Sequence, residues 1–459
     1  MPARLPTPTF HRLLVLLVVA VVINALAFMQ LSHDRIVPGT DSPEYDLLAR
    51  QLAAGRGLVL DAEAPFRPTV YREPGYPLLV AAVYRVAGPN PDTVAALQAL
   101  LLGLAAGTTA LLGARLFGPR AGLVGGGLFG LSSESAHYAH WLLGEVLFTL
   151  LLVITLALAL RAQSDGRRGD FVAVGVGLGL ATLVRAIAAS MLVPLVLVLG
   201  FGGRRWWLRG GLVVAGMAVV VAPWIVRNWV AVGEPVLTSR FGLNLVRRAP
   251  RAAEPPPAYV PWLEASVWMA TNPLSQLVFP ISSFQWGPSY EDNLVWDFHV
   301  NDMVRNLRRY EPICQPLPDP EACYLPIGLA FVRDYPIGYV VQSAFELVKL
   351  HFAPLPGPQA LIHNTTVWLG IGAAIVLGAH HCLRRPHLLV LGALAGYVAA
   401  SILVDTQVRY LLPVLPIYAS LAAVPATRTM LSVGRVLHGA VSSVVGAAAR
   451  RPANDPLRH

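Results

Sequence analysis

The property that most constrains this chain is a series of apolar runs, each about as long as a helix that crosses a lipid bilayer. The first, Leu13 to Leu31, contains no charged side chain. A crossing takes roughly 20 residues of helix. Inside hydrocarbon every backbone polar group must be satisfied within the protein, so an isolated run of this kind can only be helical. Composition agrees, with 55% of residues hydrophobic and 13% charged, against about 25% charged in soluble domains. The chain reads as an all-α polytopic membrane protein.

The formal charge is +9, and Lys349 is the only lysine. The arginines stand mostly at the ends of apolar runs, where the positive-inside rule and anchoring to membrane lipids place them. No basic patch interleaved with aromatics lies outside the membrane-flanking loops, so nucleic acid is not an expected partner. Arg4 and Arg12 precede the first run, and His33, Asp34 and Arg35 follow it directly. The run is too long for a signal-peptide core and lacks its cleavage pattern, so it reads as a retained helix with its N-terminus in the cytoplasm.

Spans checked against arginine positions give a self-consistent path. Residues 12–31 leave the cytoplasm, 32–74 form a first outer loop, and Gly75–Val86 is marginal for a crossing. Spans follow at 93–117, at a short glycine-rich 121–133 and at 142–160. The stretch 171–201 is too long for one helix and is interrupted by Arg185, which predicts two short helices meeting there. After 210–226 comes a polar region without a clear span, and then spans at 362–381, 387–404 and 410–426. The sum is about ten crossings in a bacterial inner membrane, with both termini cytoplasmic. The expected organisation is an N-terminal transmembrane module over 1–228, a small mixed outer (periplasmic) domain over 229–358, C-terminal helices over 359–427 and a cytoplasmic tail over 428–459. Cys314 and Cys323 fall on the outer side, where a disulfide is the expected pairing. Residues Tyr335–Phe352 are punctuated by Glu346, Lys349 and His351 and read as an interfacial amphipathic helix.

The polar residues that look purposeful collect at the outer ends of these spans. In Gly39-Thr40-Asp41-Ser42-Pro43-Glu44-Tyr45, Pro43 suits the first helical position and Ser42 the N-cap, opening a short amphipathic helix. Asp41 is then free to act as a general base. Alternatively Asp41 is itself the cap, with Glu44 closing a capping box. Both readings stay open.

Tyr71-Arg72-Glu73-Pro74-Gly75-Tyr76-Pro77 reads locally as a turn with interfacial tyrosines. Glu134, His137, His140 and Glu145 match no zinc spacing and read as a solvated loop with one membrane-edge carboxylate. A further group comprises Arg185, Arg227, Arg409 and Tyr410, with Arg240, Arg247, Arg248 and Arg251 in the outer loop, its arginines supplying cations at one membrane level. Ionisable groups near a membrane are functional candidates by default. A guanidinium fork matches phosphate, whereas the bland alternative is snorkelling to headgroups.

In order, spacing and side, these pieces resemble the GT-C superfamily of membrane glycosyltransferases, in particular the branch with protein mannosyltransferases and the aminoarabinose lipid A transferase. The resemblance rests on Asp41 with Tyr45, on Arg72 to Pro77, on Gly144-Glu145 and on Gly179 to Arg185. It continues through Pro223-Trp224 with Arg227-Asn228 to Arg409-Tyr410 with Pro413 and Pro416. It implies an inverting transferase working at the outer face of the inner membrane. The sugar would move from a polyprenyl-phosphate donor to a cell-envelope glycan, lipid or protein. By the same resemblance Asp41 is the catalytic base, and Arg409, Tyr410, Arg72, Arg185 and Arg227 are candidates for the donor phosphate. Tyr45, Tyr76 and Glu145 are substrate-binding candidates. A divalent metal stays open, because only part of the superfamily uses one. The rival reading is a transporter or flippase for lipid-linked or small polar substrates, which would place its ionisable groups near the midplane of repeated halves.

Overall fold

A computed structural model of the chain describes residues 8–31, 34–38, 40–200, 205–252, 310, 312–314, 320–351, 358–379, 384–404 and 408–427. The helices are α1 (Pro8–Leu31), α2 (Ser42–Ala53), α3 (Gly75–Ala87), α4 (Pro91–Phe117), α5 (Pro119–Gly130) and α6 (Ser133–His140). They continue with α7 (Glu145–Asp165), α8 (Arg168–Val184), α9 (Leu192–Gly200), α10 (Trp206–Val232) and α11 (Phe241–Ala252). The last are α12 (Pro320–Asp334), α13 (Pro336–His351), α14 (Pro358–Ala379), α15 (Arg385–Val404) and α16 (Leu415–Thr427). Short 3-10 turns occupy Ala186–Met191 and Val408–Leu411. Among the described residues β pairing is limited to one isolated antiparallel bridge, Val59 to Pro68.

The chain is a multi-pass membrane protein. Five of its described helices are long and apolar enough to cross: α1, α4, α7, α10 and Arg385–Leu403 of α15. The expected tally of about ten also counted shorter pieces. The 13 residues of α3 reach only about 20 Å at 1.5 Å per residue, less than a hydrocarbon core of about 30 Å. The break expected near Arg185 is present, because Arg185 adopts extended backbone (φ −146°, ψ 117°) between α8 and the 3-10 turn.

Local sequence sets several boundaries. Asn90 accepts a hydrogen bond from the Asp92 amide with Pro91 at the first position of α4, and Ser132 accepts from the Ser135 amide at the start of α6. Helix packing depends on small residues that let backbones meet. A Cβ on Gly175 of α8 would lie 2.0 Å from the Val213 carbonyl oxygen of α10, and one on Gly216 would lie 2.3 Å from that of Val172. The glycine-rich α5 meets α4 in the same way, with Gly122 against the Ala110 carbonyl and Gly126 against that of Ala106.

Cys314 and Cys323 are joined in a disulfide. Around it Leu243, Val246 and Tyr324 form a small core that ties α11 to Tyr310, Cys314 and α12. A small mixed domain was expected over 229–358, and residues 253–309 of it lie outside the described residues.

Because the α8–α10 contact is backbone against backbone, Gly175→Val should lower the melting midpoint of the purified protein sharply, overpacking costing typically about 1–3 kcal/mol. Gly211, with nothing within 4 Å of an added Cβ, is the control. Gly211→Ala should leave the midpoint unchanged or raised, and equal effects at the two sites would contradict the packing account.

Candidate active site

Asp41 occupies the N-cap position of α2, but its side chain caps nothing. The hydroxyl of Ser42 accepts from the Val37 amide at 2.8 Å, tightening the turn before the helix. Asp41 Oδ1 instead accepts from Arg72 Nη2 at 2.6 Å, and Glu44 Oε2 accepts from Arg72 Nε at 2.6 Å. No capping box forms. Of the two readings open in the sequence, Asp41 stands at the cap position while its carboxylate is engaged elsewhere.

Arg72 is buried and sits over the rings of Tyr45 and Tyr71, at 5.2 and 5.4 Å. Burial opposes its charge, but Asp41, Tyr45 and Glu44 outweigh that effect and hold its pKa above the ordinary range. Burial pushes the Tyr45 phenol up to about 12, against the opposing pull of Arg72. Arg72 therefore stays charged and Tyr45 stays neutral near neutral pH.

The next element is fixed by a glycine. A Cβ on Gly75 would fall 2.8 Å from the Leu183 carbonyl oxygen, so α3 starts hard against the end of α8. That approach brings Glu73 to the break at Arg185, where its Oε1 accepts from the Ala186 amide at 3.0 Å. Arg185 donates to Glu145, which is fully buried at the start of α7, and lies 4.8 Å over the Tyr410 ring.

These elements enclose a cavity of about 290 Å³ whose walls include Asp41, Tyr45, Arg72, Glu73, Arg185 and Tyr410. Ser190, Thr238, Arg240 and Asn244 complete the polar lining. The segment leading into α11 is held there by backbone pairing. Ser239 N–H donates to the Val70 carbonyl at 3.1 Å, and the Thr238 hydroxyl donates to the Tyr71 carbonyl at 3.2 Å. Ser190, Thr238 and Asn244 carried no signal in the sequence, since single polar residues in a turn or loop look alike until the fold brings them together.

Three candidates fall elsewhere. Tyr76 is fully buried beneath Tyr45, ring centroids 4.9 Å apart, and donates to Gln98 at 2.6 Å. It does not line the cavity, nor is it an interfacial tyrosine. Glu145 lies behind Arg185 rather than in the cavity wall. Arg227 donates to the Thr69 carbonyl at 3.0 Å and stacks on Trp224 at 4.9 Å, away from the lining. The backbone of Arg409 belongs to the turn that carries Tyr410, but its side chain lies outside the described residues.

The cluster at 134–145 is not the solvated loop the sequence suggested. Glu134 and His140 are buried, and His140 packs at 5.2 Å from the Phe28 ring of α1. Burial pushes both His137 and His140 down, His140 to about 4. Glu134 pairs with His363 of α14 at 2.5 Å, and beyond it His351 bonds the Tyr418 hydroxyl at 2.6 Å. Among the described residues no group of three or more His, Cys, Asp or Glu is arranged to hold a metal ion. Asp41 and Glu44 are both engaged by Arg72, so the described residues do not fit a metal centre.

The Arg185–Glu145 pair yields a direct stability test. Removing one partner of a buried ion pair costs roughly 3–5 kcal/mol, because the other charge is left uncompensated. Glu145→Ala alone should therefore melt far below the wild type, and the double variant Glu145→Ala/Arg185→Ala should recover much of the loss. A single variant that melts like the wild type would contradict the pairing.

Residues 67–229 match the sequence model of the dolichyl-phosphate-mannose-protein mannosyltransferase family. That segment includes Arg72, Glu73, Glu145 and Arg185, whereas Asp41, Tyr45, Arg240 and Tyr410 lie outside it. No curated protein matches the chain by sequence. Among solved structures, the apo oligosaccharyltransferase of Archaeoglobus fulgidus aligns with a TM-score of 0.50 at 15% identity, covering 93% of this chain and 52% of that one. AglB of the same organism, in complex with an inhibitory peptide and a dolichol-phosphate, gives 0.48 at 15% identity over 96% of this chain and 52% of that one. ArnT of Cupriavidus metallidurans bound to undecaprenyl phosphate gives 0.40 at 19% identity, covering 89% and 78%. The chain thus spans about half the length of the archaeal oligosaccharyltransferase. It shares the fold of GT-C membrane glycosyltransferases and over residues 67–229 is similar to the dolichyl-phosphate-mannose-protein mannosyltransferase family.

Proposed function

We propose that this protein is an inverting glycosyltransferase that moves a sugar from a polyprenyl-phosphate donor to a cell-envelope acceptor, a glycan, lipid or protein, at the outer face of the inner membrane. The observation that carries the reading is the cavity in which Asp41, Arg72, Arg185 and Tyr410 converge from four separate segments of a membrane-spanning fold. The family similarity over 67–229 supports a donor of this class, since a dolichyl-phosphate sugar is a polyprenyl-phosphate sugar.

In the proposed reaction the acceptor hydroxyl attacks the anomeric carbon from the face opposite the lipid phosphate. Asp41 takes the hydroxyl proton, the new glycosidic bond forms, and the bond from the anomeric carbon to the phosphate oxygen breaks with its electrons going to the lipid phosphate. Arg72 holds Asp41 in place and steers its second oxygen, a positioning role set by the bond at Oδ1. Arg185, with Arg409 and Tyr410, supplies positive charge and hydrogen-bond donors where the leaving phosphate gains negative charge. Tyr45 borders the acceptor side of the cavity. Tyr76 and Glu145 act beneath it, as supports of Tyr45 and Arg185.

General-base catalysis contributes typically 10²–10⁴-fold. Asp41→Asn should therefore lower sugar transfer by at least about a hundredfold in membranes supplied with labelled polyprenyl-phosphate sugars, with expression and donor binding retained. Normal transfer by that variant would overturn the role of Asp41. Translocation of donor without any transfer, by wild type and variant alike, would favour the transport reading.

A further inference from the structure

The small core at the Cys314–Cys323 bridge is distinct from the core of the helical bundle. Leu243 and Val246 of α11 and Tyr324 of α12 form it with Cys314, and Tyr71 and Cys323 pack against it. Helices α11 and α12 meet there at backbone distance. A Cβ on Gly242 would fall 2.5 Å from the Leu325 amide nitrogen, and one on Gly328 would fall 2.5 Å from the Leu245 Cβ. Contacts this close depend on α12 keeping its place, and the bridge ties the start of that helix to Cys314.

Tyr71 carries this unit to the cavity. Its ring lies 5.4 Å from the Arg72 guanidinium and 4.8 Å from that of Arg240, both cations facing its π system. One ring is thus the platform for two arginines of the cavity wall, an attraction of quadrupole and charge. Arg72 in turn donates to Asp41 Oδ1 at 2.6 Å. The backbone is fastened in the same sense, because the hydroxyl of Thr238, just before α11, donates to the Tyr71 carbonyl at 3.2 Å. Contacts therefore run unbroken from the bridge through Tyr71 and Arg72 to Asp41.

The two sulfurs differ in access. Cys314 is fully buried, whereas Cys323 is half-buried. Thiol–disulfide exchange requires an attacking thiolate to reach one sulfur, and Cys323 is the one open to it. The thiolate of a dithiol attacks the Cys323 sulfur, and the bond to Cys314 breaks with its electrons going to the Cys314 sulfur. The second thiol of the reagent then displaces Cys323. The bridge gains two electrons and two protons, and the dithiol departs as its own disulfide.

We propose that the Cys314–Cys323 bridge sets the geometry of Asp41 through Tyr71, a positioning residue, so that sugar transfer falls when a dithiol of the cell envelope opens the bridge. The inference rests on the transferase reading above and adds redox control of the same site. Opening the bridge frees α12 to withdraw from α11, and the Tyr71 ring loses its backing. The bundle core is built from other helices and stays intact.

The test compares the full-length protein before and after treatment with dithiothreitol. In lipid nanodiscs, reduction should let alkylation label two further cysteines and should speed amide hydrogen exchange over 69–74 and 236–246, with α8 and α10 unchanged. In membranes supplied with labelled polyprenyl-phosphate sugars, transfer should fall at least about tenfold, since a 1 Å misplacement costs on the order of 100-fold. Cys314→Ser/Cys323→Ser should match the reduced wild type and ignore dithiothreitol. Tyr71→Leu should lower kcat more than it raises KM with the bridge intact, and Tyr71→Phe, which keeps the ring, should recover most of the rate. Unchanged exchange over 69–74, equal transfer by oxidised and reduced protein, or a bridge that the dithiol cannot open would each overturn the proposal and leave the transferase reading standing. Absence of transfer by the oxidised wild type would overturn that reading and this control with it.

Discussion

Two guanidinium groups, one buried and one largely so, determine how the cavity end of this helical bundle is assembled. A charge in a low-dielectric setting is costly unless it is paired and hydrogen-bonded. Arg72 finds its partners in Asp41 and Glu44, and Arg185 finds Glu145, 40 positions away in sequence. Each arginine therefore pins a separate part of the chain. Arg72 holds the first turn of α2 against the entry to α3, and Arg185 holds the end of α8 against the start of α7. Removing these charges would release the walls of the cavity along with its chemistry.

The rest of the packing serves the same end. Gly75 lets α3 touch α8, which delivers Glu73 to the amide at the Arg185 break. Gly175 and Gly216 let α8 and α10 meet backbone to backbone, and the exit of α10 then runs into residues 236–240 alongside Val70 and Tyr71. On the far wall, Tyr397 of α15 donates to the Tyr410 carbonyl at 2.8 Å and fixes the turn that carries the ring beneath Arg185. Helices of uneven length are a consequence. Short pieces such as α3 and α9 begin beside residues of the cavity wall, Glu73 and Ser190.

Much of this was legible in the sequence because its signals are local or periodic. The apolar runs marked the long helices, and the interruption at Arg185 marked the break. Asp41, Tyr45, Arg72, Arg185 and Tyr410 were legible as purposeful, and they do share one cavity. Burial was the illegible part. Glu134, His140 and Tyr76 looked like surface groups because polarity and short flanking turns are what a loop shows. Their enclosure depends on Phe28, His363 and Tyr45, each distant in sequence or on another element. Whether an arginine is already neutralised was equally hidden. For Arg72 and Arg185 that balance depends on carboxylates that only the fold brings near.

The central claim is that this cavity transfers a sugar from a lipid phosphate to an acceptor in the cell envelope. Mass spectrometry of envelope glycans and glycolipids from cells lacking the protein tests it most directly. The account predicts that one sugar disappears from a single class of acceptor while its polyprenyl-phosphate-linked form accumulates in the membrane. An unchanged glycan and glycolipid profile, accompanied by altered uptake of a solute, would contradict it.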